Sequence, residues 1–434
     1  MEKIAVHWFR RDLRLEDNAA LHKALTSGLP VLGLFIFDRN ILDKLSDKTD
    51  RRVNFIYQEV KRIKTELEEK GSTLLVKYGF PSEVWKDLVE EWNIGLVSAN
   101  RDYEPYARSR DVSVYEFLTS KGIRFLGAKD HVIFEKDEIL KDNGQPYTVY
   151  TPYSRRWKEK VNDFYLKSYP TETYFKNFYQ TSPVTIPTLE EMGFRQISYE
   201  YPSRSIDLPI LKNYHTTREF PALTGTSRLG VHLRFGTLSI RKLARVAFAT
   251  NEKYLNELIW RDFYQMILHH YPHIPDKAFK PEYDRIEWEN NEEHFAAWCE
   301  GRTGYPIVDA GMRELNTTGF MHNRVRMIVS SFLTKHLLID WRWGERYFAA
   351  KLLDYEMGSN VGGWQWAAGS GNDAAPYFRI FNPALQTEKF DKNQLYIKKW
   401  VPEYKSPKYP KPIVDHTFAR NRAIQRFKAA LEKK

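Results

Sequence analysis

Five short apolar segments within the first 130 residues constrain the fold of this chain most strongly. They are K-I-A-V-H-W-F, V-L-G-L-F-I-F-D, T-L-L-V-K-Y, I-G-L-V-S-A-N and I-R-F-L-G-A, and helical patterns such as 52–70 separate them. Apolar strands that alternate with helices are typical of a parallel sheet covered on both faces. The sequence therefore predicts a doubly wound, five-stranded parallel α/β domain over residues 1–130, with ligands bound at the carboxyl ends of its strands.

The rest of the chain changes character twice. Residues 131–200 are rich in Tyr, Pro, Thr and Ser, and we expect a long ordered connector because its aromatic side chains need burial. From residue 201 onward strand patterns disappear and helical patterns dominate, for example at 240–250, 254–271 and 324–338. The sequence therefore predicts an all-α domain over 201–434, which ends in a basic helix over 420–434.

Composition fits a two-domain protein of a reducing compartment. A chain of 434 residues with 42% hydrophobic residues can build two cores, and its one cysteine, Cys299, excludes an internal disulfide. The amino terminus has no apolar signal segment, and no run is long enough to cross a membrane, so we expect a cytoplasmic monomer without a membrane partner. The formal net charge of +10 suits a polyanion such as nucleic acid, although solubility alone also explains it.

A Gly-rich run with two tryptophans, N-V-G-G-W-Q-W-A-A-G-S-G-N-D-A, is the strongest functional signal in the chain. Trp364 and Trp366 stand one residue apart, and no charged residue follows them before Asp373. So much aromatic surface beside glycines favours a flat ligand over simple core packing. The run also contains G-S-G-N-D-A, but this segment neither follows a strand nor opens a βαβ unit, which excludes a dinucleotide fingerprint.

Two helical segments each place polar and aromatic side chains on one face. The first set is Glu257, Trp260, Arg261 and Tyr264, and the second is Asn323, Arg324 and Met327, with Arg326 on another side. Such groups can stack on a base and hydrogen-bond to its edges. Taken singly, each helix is explained as well by ordinary amphipathic packing with ion pairs.

Phosphate and metal sites have weaker signals. The turn G-T-S-R-L-G at 225–230 offers backbone amides, hydroxyls and Arg228 to a phosphate, but an ordinary capped turn explains it at least as well. His269, His270 and His273 lack a carboxylate or cysteine partner with which to form a metal site. We therefore expect no metal site.

These motifs, taken in order, resemble those of the DNA photolyase/cryptochrome family. The likeness rests on W-F-R-R-D-L-R-L-E-D-N, G-T-S-R-L, N-E-L-I-W-R-D-F-Y, M-H-N-R-V-R-M and the Gly-rich tryptophan run, and it extends over essentially the whole chain. It is strongest to microbial class I cyclobutane pyrimidine dimer photolyases. The resemblance implies a U-shaped FAD in the helical domain, DNA containing pyrimidine dimers as the partner, and a place in the cytoplasm with the nucleoid.

The resemblance also assigns residues to the cofactor. The expected FAD contacts are Tyr214, Thr226, Ser227, Arg228, Leu229, Glu257, Arg261, Asn323, Arg326, Asp354, Glu356 and Asn360. Asn360 would face the reactive ring nitrogen of the flavin, where relatives built for signalling often carry Asp or Cys. Glu356 stands where relatives often have Asp, and Tyr254 where some have Trp.

The lesion pocket implied by the resemblance has indole walls and polar groups. Its expected residues are Glu257, Trp260, Asn323, Arg324, Met327 and Trp366. These residue types suit a pyrimidine dimer that is flipped out of the duplex, and Glu257 would stabilise the radical anion formed on it. Photolyases specific for (6-4) products have His pairs here, so this set argues against that subclass.

Electron supply and light harvesting are the remaining implied features. Trp288, Trp341 and Trp364 align with the family's tryptophan chain, which carries an electron from the surface to the flavin, although three core tryptophans are the alternative. A second chromophore, a folate or a deazaflavin, is expected in the amino-terminal domain. Tyr106 and Ala107 stand where folate-binding relatives have an Asn-Glu pair, which argues against folate.

The function predicted from the sequence is light-dependent repair of cyclobutane pyrimidine dimers by electron transfer from reduced FAD. Glu257, Asn360 and the three tryptophans would be its catalytic residues. A cryptochrome-type light sensor with FAD and little repair activity is the alternative.

Overall fold

A computed structural model describes residues 2–432, and the chain divides into two compact units. The first unit consists of Met1–Glu135, Lys160–Ile206 and Arg228–Val246, and the second of Lys136–Glu159, Asp207–Ser227 and Ala247–Lys434. The segment expected as one connector thus contributes to both units. The division of the chain at residues 130 and 200 stays a prediction about domains.

The first unit is built on a five-stranded parallel sheet, which confirms the predicted fold class. Its strands are β1 (Ile4–Phe9), β2 (Val31–Asp38), β3 (Leu74–Gly79), β4 (Ile94–Asn100) and β5 (Arg124–Ala128), in the order β3-β2-β1-β4-β5. All residues of β1 and β2 are buried, as their continuous apolar sequences require. The strand order reverses beside β1, which is where open sheets of this kind bind ligands.

Helices separate the strands along the chain. They are α1 (Ala19–Leu25), α2 (Arg39–Leu42), α3 (Arg51–Glu68), α4 (Pro81–Glu91) and α5 (Pro105–Ser120). Trp85 of α4 packs edge-to-face on Trp8 of β1, with 5.5 Å between ring centroids. This pair lies in a buried hydrophobic cluster of the sheet, together with Leu34 and Val97.

A buried ion network fixes the segment Arg228–Val246 within the first unit. Arg241 donates to Asp130 (2.7 Å) and to Asp17 (2.9 Å), and Arg14 donates to the other oxygen of Asp130 (2.6 Å). All four side chains are at most 9% exposed. Buried charges are tolerated only when they are paired in this way, so the network specifies which segment joins the sheet.

The second unit is helical, as predicted. Between the sheet and its main helices the chain forms α6 (Tyr150–Lys160), α7 (Asp163–Leu166), α8 (Leu208–Thr217), α9 (Gly230–Arg234) and α10 (Ile240–Thr250). Of these, α7 and α9 belong to the first unit, and most of α10 does as well. The main helices are α11 (Glu252–His270), α12 (Glu292–Glu300), α13 (Pro306–Thr318), α14 (Asn323–Ser331), α15 (Trp341–Lys351), α16 (Met357–Ala368), α17 (Pro383–Phe390), α18 (Leu395–Trp400) and α19 (His416–Glu432). The predicted tail helix is confirmed up to Glu432, and its last two residues lie outside the described part of the chain.

Short 3-10 helices at Thr171–Asn177 and Pro281–Arg285 and a π-helical turn at Phe332–His336 complete the secondary structure. No helix within residues 2–432 is both long and apolar enough to span a bilayer.

The Gly-rich run forms helix α16, and its glycines explain how closely that helix packs. An added Cβ at Gly358 would lie 3.0 Å from the carbonyl oxygen of Tyr264, and one at Gly362 would overlap the Tyr264 ring. Helix α16 therefore approaches α11 at backbone distance. Gly369 ends the helix in the left-handed conformation (φ +89°), so G-S-G-N-D-A begins as a C-cap and is not a dinucleotide fingerprint.

Candidate active site

Helix α11 presents the predicted aromatic and acidic face. Asn251 caps the helix by accepting from the backbone N–H groups of Lys253 and Tyr254. Glu257 and Trp260 are half-buried, while Arg261 is buried. The expected face therefore exists, with the arginine turned to the protein interior and the carboxylate and indole accessible.

Tyr150, which the sequence analysis missed, covers one face of Trp260. The two rings are parallel within 4°, with centroids 3.6 Å apart. Tyr150 is held by three contacts: its hydroxyl donates to the Asn256 carbonyl (2.9 Å), its backbone N–H donates to Asp373 (3.0 Å), and its ring packs on Trp260. Tyr150 therefore occupies one face of the Trp260 indole and fixes the orientation of that ring.

Glu257 is paired with Arg218, an arginine that no motif indicated. Arg218 donates to Glu257 and follows helix α8 directly. Burial raises the pKa of Glu257, and the guanidinium of Arg218 acts against this shift. The burial shift favours the protonated carboxyl group, which can donate a hydrogen bond, while the ion pair with Arg218 favours the carboxylate, which only accepts.

The side chain of Arg324 is held by the carboxylate of Glu219, the residue that follows Arg218. Its Nε donates to Glu219 Oε2 at 2.7 Å, its Nη1 lies 3.7 Å from the sulfur of Met327, and its guanidinium stacks on Phe390. Asn323 begins helix α14 and is exposed. The dipeptide 218–219 therefore connects two helices that carry predicted lesion-pocket residues.

Two further ion pairs join residues that were predicted as cofactor contacts. Arg261 donates to Glu356 at 2.8 Å, and both side chains are less than 10% exposed. Arg326 donates to both oxygens of Asp354, at 2.8 and 3.0 Å. Each pair brings together residues that are far apart in the chain, by 28 and 95 positions, and contact of these residues with a cofactor stays a prediction.

Helix α16 leaves one side open beside Asn360. The side-chain amide of Asn360 donates to the Glu345 carboxylate at 3.0 Å. Burial raises the pKa of Glu345. Asn360, Gly363 and Trp366 follow one another at intervals of three, which places them along one strip of the helix. A Cβ at Gly363 would meet nothing within 4 Å, and Gly363 is exposed. The strip therefore offers an open surface at Gly363 with the Asn360 amide beside it.

The residues of the predicted phosphate turn are divided between the two units, and a phosphate site there stays a prediction. Ser227 Oγ and Tyr254 Oη lie 2.8 Å apart, and the rings of Tyr254 and Tyr214 pack edge-to-face at 5.0 Å. Arg228 has a left-handed backbone (φ 53°) and, like the buried Leu229, belongs to the first unit. Thr226 is half-buried in the second unit.

The three tryptophans of the expected relay differ in burial. Trp364 and Trp341 are each 2% exposed, whereas Trp288 is half-buried against Phe427. Within residues 2–432, the ring contacts of Trp364 are with Phe348 (5.0 Å) and Trp298 (6.0 Å) and not with Trp341 or Trp288. The relay therefore stays a prediction, and Trp298 is an aromatic neighbour that the sequence analysis missed.

A second candidate site lies in the first unit, at the carboxyl end of β2. The hydroxyl of Tyr106 donates to Asp38 at 2.5 Å. The pKa of Tyr106 is raised, mainly by burial and also by the neighbouring carboxylate of Asp38. Arg110 and Lys44 both approach the Tyr106 ring, at 5.7 and 5.9 Å from its centroid. Aromatic and cationic groups at this edge suit a flat anionic ligand.

The statement that the histidines of helix α11 have no carboxylate near them is wrong. Asp137 lies beside His269 and His270, with the candidate ligand atoms all within 4.8 Å of one another. The carboxylate was missed because it comes from a segment more than 130 residues earlier in the chain.

Comparison with known proteins decides the family. The sequence profile described as DNA photolyase matches residues 5–173, and the one described as the FAD binding domain of DNA photolyase matches residues 254–408. The deoxyribodipyrimidine photo-lyase of a Synechococcus species is 36% identical, with 97% of this chain and 95% of the relative covered. The chain belongs to the DNA photolyase family. This photolyase is therefore a DNA-repair lyase with an FAD-binding domain.

Solved photolyase structures have the same fold. A bacterial class III photolyase from Agrobacterium tumefaciens has a TM-score of 0.88 at 32% identity, covering 99% of this chain and 98% of that one. An archaeal photolyase from Sulfolobus tokodaii, solved with two FAD molecules, has a TM-score of 0.80 at 34% identity, covering 98% and 99% of the two chains.

Proposed function

We propose that this photolyase repairs cyclobutane pyrimidine dimers in DNA, with light as the energy source. The observation that carries the proposal is the surface formed by two packed helices: the Glu257 and Trp260 face of α11, and the strip of α16 that Gly363 leaves open. One side suits a flipped-out base, the other a flat cofactor. The net charge of +10 supports binding of the DNA backbone.

FAD fits the residues of the second unit. The strip at Gly363 accepts a planar ring, and the Arg261–Glu356 and Arg326–Asp354 pairs supply the charged donors and acceptors that a dinucleotide needs. When bound in its reduced form, FAD supplies the light-driven electron that opens the dimer. Asn360 would hold the polar edge of the ring through its amide, and Glu345 would orient that amide.

The lesion would stack on Trp260 and hydrogen-bond to Glu257. Glu257 would hydrogen-bond to the pyrimidine and stabilise the negative charge that develops on it, and burial raises the pKa of its carboxyl group in the direction that favours the hydrogen-bond-donating form. Arg324, held by Glu219, would bind a phosphate or a base edge. The class I subclass stays a prediction, since one of the similar structures is that of a class III enzyme.

The tryptophan relay is proposed from the burial gradient. Trp364 and Trp341 are enclosed in protein, while Trp288 is half-buried and reaches solvent, as an inward route for electrons requires. A second chromophore is proposed at Tyr106, where cations surround an aromatic ring. The Sulfolobus tokodaii relative, with its two FAD molecules, supports a flavin at least as well as the folate or deazaflavin that the resemblance implied.

The function is tested with purified holoprotein and oligonucleotides that contain one cyclobutane dimer or one (6-4) product. We expect light-dependent repair of the first and none of the second, and no repair in the dark. Photoreduction of the flavin without repair of either lesion would instead indicate a light sensor. Repair of the (6-4) product would overturn the proposed specificity.

The lesion pocket is tested with Trp260→Ala. Stacking of a base on an aromatic ring contributes about 1–3 kcal/mol, so we expect affinity for the dimer to fall roughly 5- to 150-fold. Trp400→Ala is the matched control, because Trp400 is half-buried in another helix and belongs to no predicted site. Equal affinity in the Trp260 variant and the wild type would refute the pocket.

A further inference from the structure

A cluster of two imidazoles and a carboxylate lies apart from the site described above. His269 and His270 are the last two residues of helix α11, and Asp137 belongs to the segment Lys136–Glu159 of the same unit. His270 Nε2 lies 3.3 Å from Asp137 Oδ1, and the two imidazole rings are 5.1 Å apart. One ligand atom from each residue lies within 4.8 Å of the other two.

The donor set selects the class of cation. Two nitrogen atoms and one carboxylate oxygen are typical of Zn²⁺ and its neighbours in the first transition series, whereas Mg²⁺ and Ca²⁺ prefer sites made of oxygen alone. Tetrahedral Zn²⁺ holds its ligands roughly 3.4 Å apart. The Asp137–His270 distance already has this value, and the exposed side chain of Asp137, at 67%, is free to rotate toward His269.

The position of the cluster also favours a cation. It lies at the carboxyl end of a helix of 19 residues, where the helix dipole stabilises positive charge. The carbonyl oxygen of Lys136 is 3.4 Å from His270 Nε2, which adds a further oxygen at the same place. With neutral imidazoles the three side chains carry one negative charge, that of Asp137, which attracts a divalent cation.

We propose that Asp137, His269 and His270 bind a Zn²⁺ ion that fastens the segment Lys136–Glu159 to the end of helix α11. The same segment contains Tyr150, whose ring stacks on Trp260, a residue ten positions before His270 in helix α11. The ion and the stacked rings would thus hold the segment at two points about 15 Å apart along α11. This inference does not depend on the proposed repair function, because it concerns binding of the ion alone.

The test is calorimetric titration of tag-free, chelator-treated holoprotein with ZnCl₂. We expect one equivalent to bind with a dissociation constant in the micromolar range or below. His270→Ala and Asp137→Ala should each weaken binding about tenfold or more, as loss of a metal-site residue does. MgCl₂ should release no heat. His273→Ala, which removes an exposed histidine outside the cluster, should bind as the wild type does.

The variants also distinguish loss of Zn²⁺ binding from loss of the fold. Asp137 is exposed, so its replacement leaves the fold intact, and retained flavin content checks this for each protein. The proposal would be overturned if the protein showed no saturable Zn²⁺ binding at ZnCl₂ concentrations up to about 100 µM. Binding that is unchanged in both the Asp137 and His270 variants would also overturn it, since the ion would then occupy another site and the pair would be an ordinary ion pair.

Discussion

The packing around Trp364 makes a sharp prediction for Gly344→Ala. Gly344 lies within helix α15, where alanine is intrinsically favoured over glycine by about 1 kcal/mol. A Cβ at this position would overlap the six-membered ring of Trp364 and come within 2.6 Å of Leu333 Cδ2. Since carbon atoms pack at about 3.5–4.0 Å, the neighbours must move by roughly 1 Å or more.

Trp364 has no free direction in which to move. It is 2% exposed, and its ring contacts Phe348 and Trp298. Overpacking of a filled core costs about 1–3 kcal/mol, and a bulky ring held on several sides belongs at the upper end. After the gain in helix propensity, we expect a net loss of about 1–2 kcal/mol, which lowers the melting temperature by roughly 2–8 °C.

Gly363→Ala is the matched control, because a Cβ there meets nothing within 4 Å. The same substitution is therefore expected to raise the stability of the flavin-free protein by about 0.5–1 kcal/mol. In the holoprotein it should weaken flavin binding, since the added methyl group occupies the open strip of α16. Thermal unfolding followed by circular dichroism and flavin fluorescence measures both effects. A stabilising effect of Gly344→Ala equal to that of Gly363→Ala would refute the packing described for Trp364.

Three further predictions concern electron supply, catalysis and pH. Trp341→Phe should abolish photoreduction of the oxidised holoprotein but leave repair intact when the flavin is reduced chemically; normal photoreduction would exclude Trp341 from the relay. Glu257→Ala should lower the repair yield about tenfold, equivalent to about 1.4 kcal/mol of transition-state stabilisation, while DNA binding persists; the exposed Glu252 on the same helix is the control for this substitution. Burial, then His416 and Arg422, lowers the pKa of His336 to about 3 from 6.5. The imidazole of His336 therefore binds a proton more tightly in the unfolded chain than in the folded one. As a result, the free energy of unfolding is highest above pH 6.5 and decreases by up to about 4–5 kcal/mol as the pH falls towards 3. His336→Gln should flatten the decline of the melting temperature between pH 7 and pH 5, and an unchanged decline would contradict the assignment.

Much of the secondary structure follows from local sequence pattern. The apolar run V-L-G-L-F-I-F-D is strand β2, and the period of the segment around Glu257 and Trp260 is that of helix α11. Both patterns show which side chains are buried, because apolar residues recur with a spacing that differs between a strand and a helix. The motifs of the family likewise named Arg261, Glu356, Arg326 and Asp354, which the structure joins in two ion pairs.

The side chains that hold these residues in place could not be predicted from local sequence pattern. Arg218 and Glu219 stand in no motif, yet they bind Glu257 and Arg324 on different helices. Tyr150 was read only as part of a connector, although it covers Trp260. These contacts join residues that are far apart in the chain, and nothing in the spacing of one segment indicates which side chain of another will meet it.

The sequence by itself determined the parallel sheet, the helical second unit and the family, because hydrophobic period and long motifs are properties of consecutive residues. Only the tertiary structure decided the chemical setting of the site. It showed that Gly362 allows helix α16 to approach Tyr264 while Gly363 faces open space, although the two glycines are neighbours in the chain. It also placed Asp137 beside His269 and His270. The physical reason is that burial, pKa and ligand geometry depend on which side chains meet in space, and that is settled when the helices pack.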